Sequence, residues 1–385
     1  MFLLKLLSRN AFRHSLRTLL TILGITVAIL AYGLLQTVIS AWYAGVNSSS
    51  SARLITRNAV SLVFSLPIAY QERIRRIEGV SGVSYANWFG GVFVTEKNFF
   101  PNFAIEPLSY LALYPEFVLK PDEKRAFILD RKGCVIGRKL ADRFGWKIGD
   151  SVPLKGTIFP GNWEFIVRGI YSGTEKSTDE SQFFFHWAYL NETLKKNFPR
   201  RADQIGIYLI GLKNPQSAAE VSLAVDSTFK NSLAETLTET EKAFQLSFVS
   251  MTEALVVAIR IVSFVVIIII MVVVANTMAM TARERIGEYA IFKAMGFQGY
   301  HIAAMVFGES LFITLTGGCI GILLTFPVAR KFGEVMGNFF PVFQVDRLTL
   351  YMDVVFCILV GVVAALFPTW RAMRIKIADG LRRVG

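Results

Sequence analysis

Few residues in this chain could carry out covalent or metal chemistry. The sequence has three histidines. Only His186 falls in the long polar stretch between apolar blocks, and one imidazole with no acidic or cysteine cluster beside it is a poor ligand set. Neither G-x-S-x-G nor H-E-x-x-H occurs, so the spacings that build a serine nucleophile or a zinc protease are missing. Nothing matches G-x-x-x-x-G-K-[ST], the loop whose backbone amides cradle phosphates; Gly133 to Lys139 has glycines and a lysine at another spacing. If ATP drives this protein, another chain binds it. Asp179 and Glu180 are neighbouring carboxylates in the Ser/Thr-rich stretch Ser172 to Gln182, which reads as a solvated loop or a partner contact. Cys134, Cys319 and Cys357 cannot build a disulfide framework. The last two lie inside apolar blocks as small packing residues, and Cys134 reads as a lone buried thiol.

The residues whose spacing is informative lie between two of the apolar blocks, from Thr281 to Gly296. Arg283, Glu284, Arg285, Glu288 and Lys293 supply charge, and Ile286, Tyr289, Ile291, Phe292 and Met295 supply apolar surface. This pattern predicts a short amphipathic helix ending at Gly296. Such a helix either lies on lipid or docks into a groove on a cytosolic partner.

The elements that position this loop are set by composition. Of 385 residues, 53% are hydrophobic and 18% charged, against about 25% charged in ordinary soluble domains; the mean hydropathy is +0.46. The excess is concentrated in four blocks, predicting transmembrane helices at 18–41, 254–282, 302–329 and 351–369. The first block exceeds the ~7–15 residues of a signal-peptide core. Arg260 lies near the start of the second block, Asp353 at the edge of the fourth, and Glu309 interrupts the third. Glu309 lies about two turns from the cytosolic side, where it snorkels or pairs with a basic residue near the interface, in a structural or a coupling role. Gly317, Gly318 and Gly321 in the third block have the small-residue spacing that lets helices approach, within the chain or across a dimer. Pro327 and Pro368 read as kinks or stops.

The net charge of +12 reports orientation rather than nucleic acid, since the basic residues outside the large polar segment flank apolar blocks. Twelve lie in the N-terminal segment (1–17), the loop 283–301 and the tail (370–385), against three in the short external loop 330–350. Both termini are therefore expected in the cytoplasm. The segment 42–253 then lies outside as an α+β domain. Helix is expected from Pro67 through Ile77 and from Pro215 to Asn231, and helix with a tight turn between Gly133 and Asp150. Strand is expected in Gly79 to Val94, Trp163 to Tyr171 and Gly206 to Leu212. A central subdomain is expected at about 120–201. Phe99, Phe100, Phe103 and the run Phe183 to Phe185 read as core, or as an apolar surface for a lipid-like cargo.

In its loop motif Glu284, Arg285, Glu288, Lys293, Ala294 and Gly296, the sequence resembles the MacB-type, FtsX-like permeases of bacterial ABC transporters. It departs from the family pattern with Tyr289 and Ala290, where Ile-Gly is usual. Arg17 to Ile25, Ile136 to Ala141 with Gly145 and Ile148 to Asp150, the third-block set Glu309, Gly317, Gly318 and Gly321, and Phe367-Pro368 with Arg371-Ala372 are similar to the family too; the tail 377–381 lacks its Asp-Pro. The resemblance implies a four-span membrane protein with the α+β domain inserted between helices 1 and 2, and no enzyme site or cofactor of its own. It implies two copies of a separate ABC ATPase carrying ATP and Mg, docked on the loop helix through Arg283, Glu284, Arg285, Glu288, Lys293, Ala294 and Gly296. The ATPase is expected to be separate because this chain starts within a few residues of its first span. A second permease copy, identical or a sister, is implied; a periplasmic adaptor, an outer-membrane channel and membrane lipid complete the implied partners, with no nucleic acid. The expected function is mechanotransmission through the bacterial inner membrane, to export or extract an amphipathic cargo outside it. The alternative is an FtsX-like signalling permease that regulates a cell-wall hydrolase.

Overall fold

The computed structural model describes residues 15–175, 177–336, 340 and 342–374. The described residues fall into two compact units, one holding Ser15–Trp42, Thr252–Met336 and 343–374, the other holding those from Tyr43 to Met251 with Phe340 and Val342. Lys5, Arg9 and Arg13 before the first span, and Lys376, Arg382, Arg383 and the stretch 377–381 after the last, lie outside the described residues.

The first unit contains the helices Ser15–Trp42, Glu253–Glu284, Gly299–Val335 and Arg347–Met373, of 28, 32, 37 and 27 residues. At about 1.5 Å per residue each is long enough to cross a hydrocarbon layer of about 30 Å. Ile268, Ile269 and Val272 of the second span stay exposed in the isolated chain, as lipid-facing residues do. Ile25, Ile29 and Tyr32 of the first span, Ile270 and Val274 of the second, Ile313 of the third and Val360 of the fourth form the buried core. The helices run past the apolar blocks at several ends. Pro327 and Pro368 lie inside continuous helix and do not stop it, because neighbouring helices and adjusted turns in a membrane bundle absorb the lost hydrogen bond.

The glycines of the third span are contact points within the chain. A Cβ on Gly317 would come within 2.9 Å of the Ile22 carbonyl oxygen, one on Gly321 within 2.9 Å of the Thr26 carbonyl oxygen, and one on Gly318 within 2.1 Å of Cys357 Sγ. Close approach also permits hydrogen bonds between spans: Thr26 Oγ1 donates to the Gly317 carbonyl at 3.1 Å, and Ser310 Oγ to the Gly361 carbonyl at 2.8 Å. Gly321→Val would push the first span off the third. It should lower stability by about 1–3 kcal/mol, the ordinary cost of overpacking, read as an earlier thermal unfolding midpoint in detergent. An unchanged midpoint would mean that the two spans do not pack through this glycine.

The second unit is built on strands β1 (Arg53–Asn58), β2 (Leu66–Pro67), β3 (Val80–Trp88), β4 (Gly91–Val92), β5 (Asn102–Ile105), β6 (Phe117–Val118), β7 (Gly133–Gly137), β8 (Ser151–Gly156), β9 (Gly161–Gly173), β10 (Phe183–His186), β11 (Gln204–Ile205), β12 (Ile207–Leu212) and β13 (Thr236–Thr240). Eleven form one sheet in the order β13-β1-β12-β3-β5-β10-β7-β9-β8-β4, with β6 bonded to β9, while β2 pairs with β11. The pairs β5–β10 and β7–β9 are parallel. The strands of 120–201 occupy consecutive places, from β10 to β8.

Both faces of the sheet are covered, and β10 shows why its sequence is a continuous aromatic run rather than an alternation. Phe183 and Phe185 pack into one core cluster with Phe89 and Phe165, and Phe184 into the other with Tyr110 and Tyr171. All three are fully buried, so this run is core and offers no surface to a cargo. Pro67 sits in β2 rather than opening a helix; the helix starts later, at Tyr70–Arg75, because the backbone of Leu66 and Pro67 is held in register with Gln204 and Ile205.

Candidate functional site

The amphipathic pattern between the second and third spans forms a helix over Ile286–Ala294. Its end is a Schellman motif: the Phe297 amide donates to the Phe292 carbonyl at 3.0 Å and the Gly296 amide to the Lys293 carbonyl at 3.1 Å. Gly296 takes the left-handed conformation this requires, with φ of +92°, which a residue without Cβ adopts at no steric cost.

Four polar pairs fix this end of the unit. Arg285, between the second span and the loop helix, is buried. Its Nη1 donates to Glu309 Oε2 at 2.7 Å and its Nε to Glu288 Oε2 at 3.1 Å, and its guanidinium lies 5.7 Å from the centroid of the Tyr289 ring. Burial alone would lower the basicity of Arg285, but the neighbouring Tyr289, Glu309 and Glu288 outweigh it and leave the group above its ordinary value. Burial also pushes the Tyr289 hydroxyl up to about 12. Lys293 Nζ donates to the carbonyl of Met373 at 2.7 Å, satisfying a last-turn oxygen of the fourth span. Arg17 of the first span makes a bidentate pair with Glu284 at the end of the second, with both N–O distances 2.8 Å. The loop helix is therefore tied to the third span by an ion pair and to the fourth by a hydrogen bond. Tyr289 completes the attachment by packing with Ile302, Val306, Ala365 and Ala372, and Ala290 is buried next to it in the helix.

This arrangement divides the loop residues into two sets. Arg285 points inward and holds the helix to Glu309, so it presents no charge to a partner; a buried acid in the cytosolic part of the third span needs a counter-charge, and Arg285 provides it. Glu288 sits beside it, and Glu284 is committed to Arg17. Arg283, Ala294 and Gly296 are exposed, as are Ile291, Met295, Phe297 and Tyr300. Met295 and Tyr300 are about 60% and 61% exposed respectively. Exposed apolar residues thus run from the loop helix through the turn after it to the start of the third helix. The charged motif drew attention to the loop in the sequence; Phe297 and Tyr300 lie beyond the motif and carry much of the apolar surface.

The large domain holds little chemistry. His186 is buried, with Nε2 at 2.6 Å from the Phe127 carbonyl, and burial lowers its proton affinity. The carboxylates of the 172–182 loop fold it onto itself: Asp179 Oδ1 accepts from the Ser181 amide and Glu180 Oε1 from the Gly173 amide, both at 2.8 Å.

Two family models match this chain. The MacB-like periplasmic core domain matches residues 18–228 and the FtsX-like permease C-terminal region residues 260–377. An uncharacterized ABC transporter permease of Methanocaldococcus jannaschii is 25% identical over 97% of this chain and 96% of its own length. The macrolide export ATP-binding/permease protein MacB of Psychrobacter cryohalolentis is 24% identical over 177 residues, 46% of this chain and 26% of that one. Among solved structures, the extracellular domain of the noncanonic ABC-type transporter YknZ from Gram-positive bacteria covers 49% of this chain and all of its own, at 10% identity and a TM-score of 0.35.

Proposed function

This chain belongs to the MacB/FtsX-type ABC transporter permeases, and from that membership we propose that it is a membrane subunit driven by a separate ABC ATPase. Two ATPase copies, carrying ATP and Mg, dock on the loop helices of two permease copies. The observation that carries this reading is the loop helix and the turn after it: the helix is pinned to the third and fourth spans, and Ile291, Met295, Phe297 and, at the start of the third helix, Tyr300 are exposed. A helix held rigidly to the spans, with exposed apolar residues along and after it, suits insertion into a groove, and its attachment passes displacement to the spans. ATP-driven closure of the ATPases pulls on the loop helices, and the external domains move in response. The macrolide export named for the MacB relatives supports an amphipathic cargo, handled outside the inner membrane, with a periplasmic adaptor and an outer-membrane channel as further partners. Affinity purification of the tagged chain in mild detergent should bring down an ABC ATPase in roughly equal amount, with ATPase activity. An external cell-wall hydrolase recovered without transport activity would favour a regulatory role instead.

The excess of basic residues beside the spans supports a cytosolic loop helix and a large domain outside. A cysteine introduced as Thr174→Cys, with Cys319 changed to Ser, should react with an impermeant thiol reagent in spheroplasts. Labelling only after lysis would invert the orientation.

A further inference from the structure

Asp353, in the fourth span, is fully buried, and among the described residues nothing bonds either of its carboxylate oxygens. A second orphan lies on the first span: Gln36 Oε1 is buried without a partner, one turn along the helix from Gly33. Gly33 locates the carboxylate, since a Cβ there would come within 3.3 Å of Asp353 Oδ2 and 3.2 Å of Thr325 Oγ1. The Thr325 hydroxyl already gives its hydrogen to the Gly321 carbonyl at 2.9 Å, and Thr37 gives its own to the Gly33 carbonyl at 2.6 Å. The Thr325 and Thr37 hydroxyl protons are thus committed to main-chain carbonyls, and neither reaches Asp353.

Among the described residues the surroundings offer no counter-charge. The titratable neighbours are Tyr32 of the first span and Cys357, one turn along the fourth. Cys319, Arg330 and Lys331 of the third span, Glu253 and Arg260 of the second, and Arg347 and Tyr351 of the fourth are exposed, and none bonds Asp353. An ionised carboxylate so placed is costly, and a group in this position takes up a proton instead. A metal ion would need several oxygens arranged around a volume of its own, whereas the approach of Asp353 and Thr325 to Gly33 leaves little space.

We propose that Asp353 is a proton-binding site within the membrane unit, occupied when the first, third and fourth spans pack as they do here. The bound proton neutralises the buried carboxylate and makes it a donor toward the acceptor oxygens beside it. When the spans part, water reaches the carboxyl and the proton leaves, so that movement of the bundle is coupled to proton release. Only this last step rests on the permease reading; the site itself does not.

Infrared spectroscopy of the purified full chain in lipid nanodiscs tests the site without any ATPase. At neutral pH the wild type should show the carbonyl stretch of a protonated carboxyl group. Labelling aspartate with 13C at its side-chain carboxyl should move that band, Asp353→Asn should remove it, and Asp346→Asn, an exposed control, should leave it. The label on the wild type keeps the test independent of whether a variant folds. Absence of the band in the wild type, or a band that neither the label nor Asp353→Asn changes, would overturn the proposal. Either result leaves the permease reading intact.

Discussion

Glu309→Ala should destabilise the membrane unit by up to about 3–5 kcal/mol, because it leaves the buried Arg285 guanidinium with Glu288 alone as its carboxylate. The two groups are 10% and 7% exposed and 2.7 Å apart, whereas Glu288 bonds Nε at 3.1 Å from a more exposed position. Arg285→Ala should cost a similar amount by stranding Glu309. The informative variant replaces both, Arg285→Met with Glu309→Leu. Exchanging a buried ion pair for packed apolar groups is often neutral or stabilising, so thermal stability should return to near the wild-type value. Stimulation of the ATPase should not return, because the directional tie between loop helix and third span is gone. Thermal unfolding in detergent and ATP hydrolysis with the partner ATPase read the two effects separately. Recovery of both in the double variant would make the pair a packing feature with no part in coupling.

Met295→Glu should have the opposite profile. Met295 is one of the exposed apolar residues, with Ile291, Phe297 and Tyr300, and the carbonyl and amide groups that close the helix around it are main-chain. The folded chain should therefore tolerate the change with little shift in its unfolding midpoint. A charge placed in an apolar docking face removes about 2 kcal/mol or more when the position is a hot spot, so ATPase affinity should fall roughly 30-fold. Affinity measured in nanodiscs with the purified ATPase checks this, and an unaltered affinity would place the docking surface elsewhere.

The spans were legible because lipid exposure demands long apolar runs, and that constraint acts on every turn of the helix. Their ends were less legible. Gly299 to His301 and Arg330 to Val335 continue the third helix with residues that hydropathy does not mark, and the fourth helix begins at Arg347. That early start places Asp353 inside the bundle rather than at its edge, which the apolar block beginning near Tyr351 concealed. In the loop, the amphipathic pattern gave the helix and its glycine stop. It could not say which arginine turns inward, since the choice between Arg283 and Arg285 depends on Glu309, 24 residues after Arg285. The signal for that pairing was the lone acid in the third span. The Phe183–Phe185 run was ambiguous for a different reason: a strand buried on both faces shows no alternation, so its sequence resembles an exposed apolar patch until its neighbours in the sheet are known.

The account turns on whether the exposed face of the loop helix meets the ATPase. Site-specific photocrosslinking measures this most directly, with a photoreactive residue placed at Met295 and, as a control, at Ala290, which is buried within the unit. The account predicts a crosslink from position 295 to an ABC ATPase, and none to it from position 290. Crosslinks from position 295 to lipid alone, with the ATPase bound elsewhere on the chain, would contradict it.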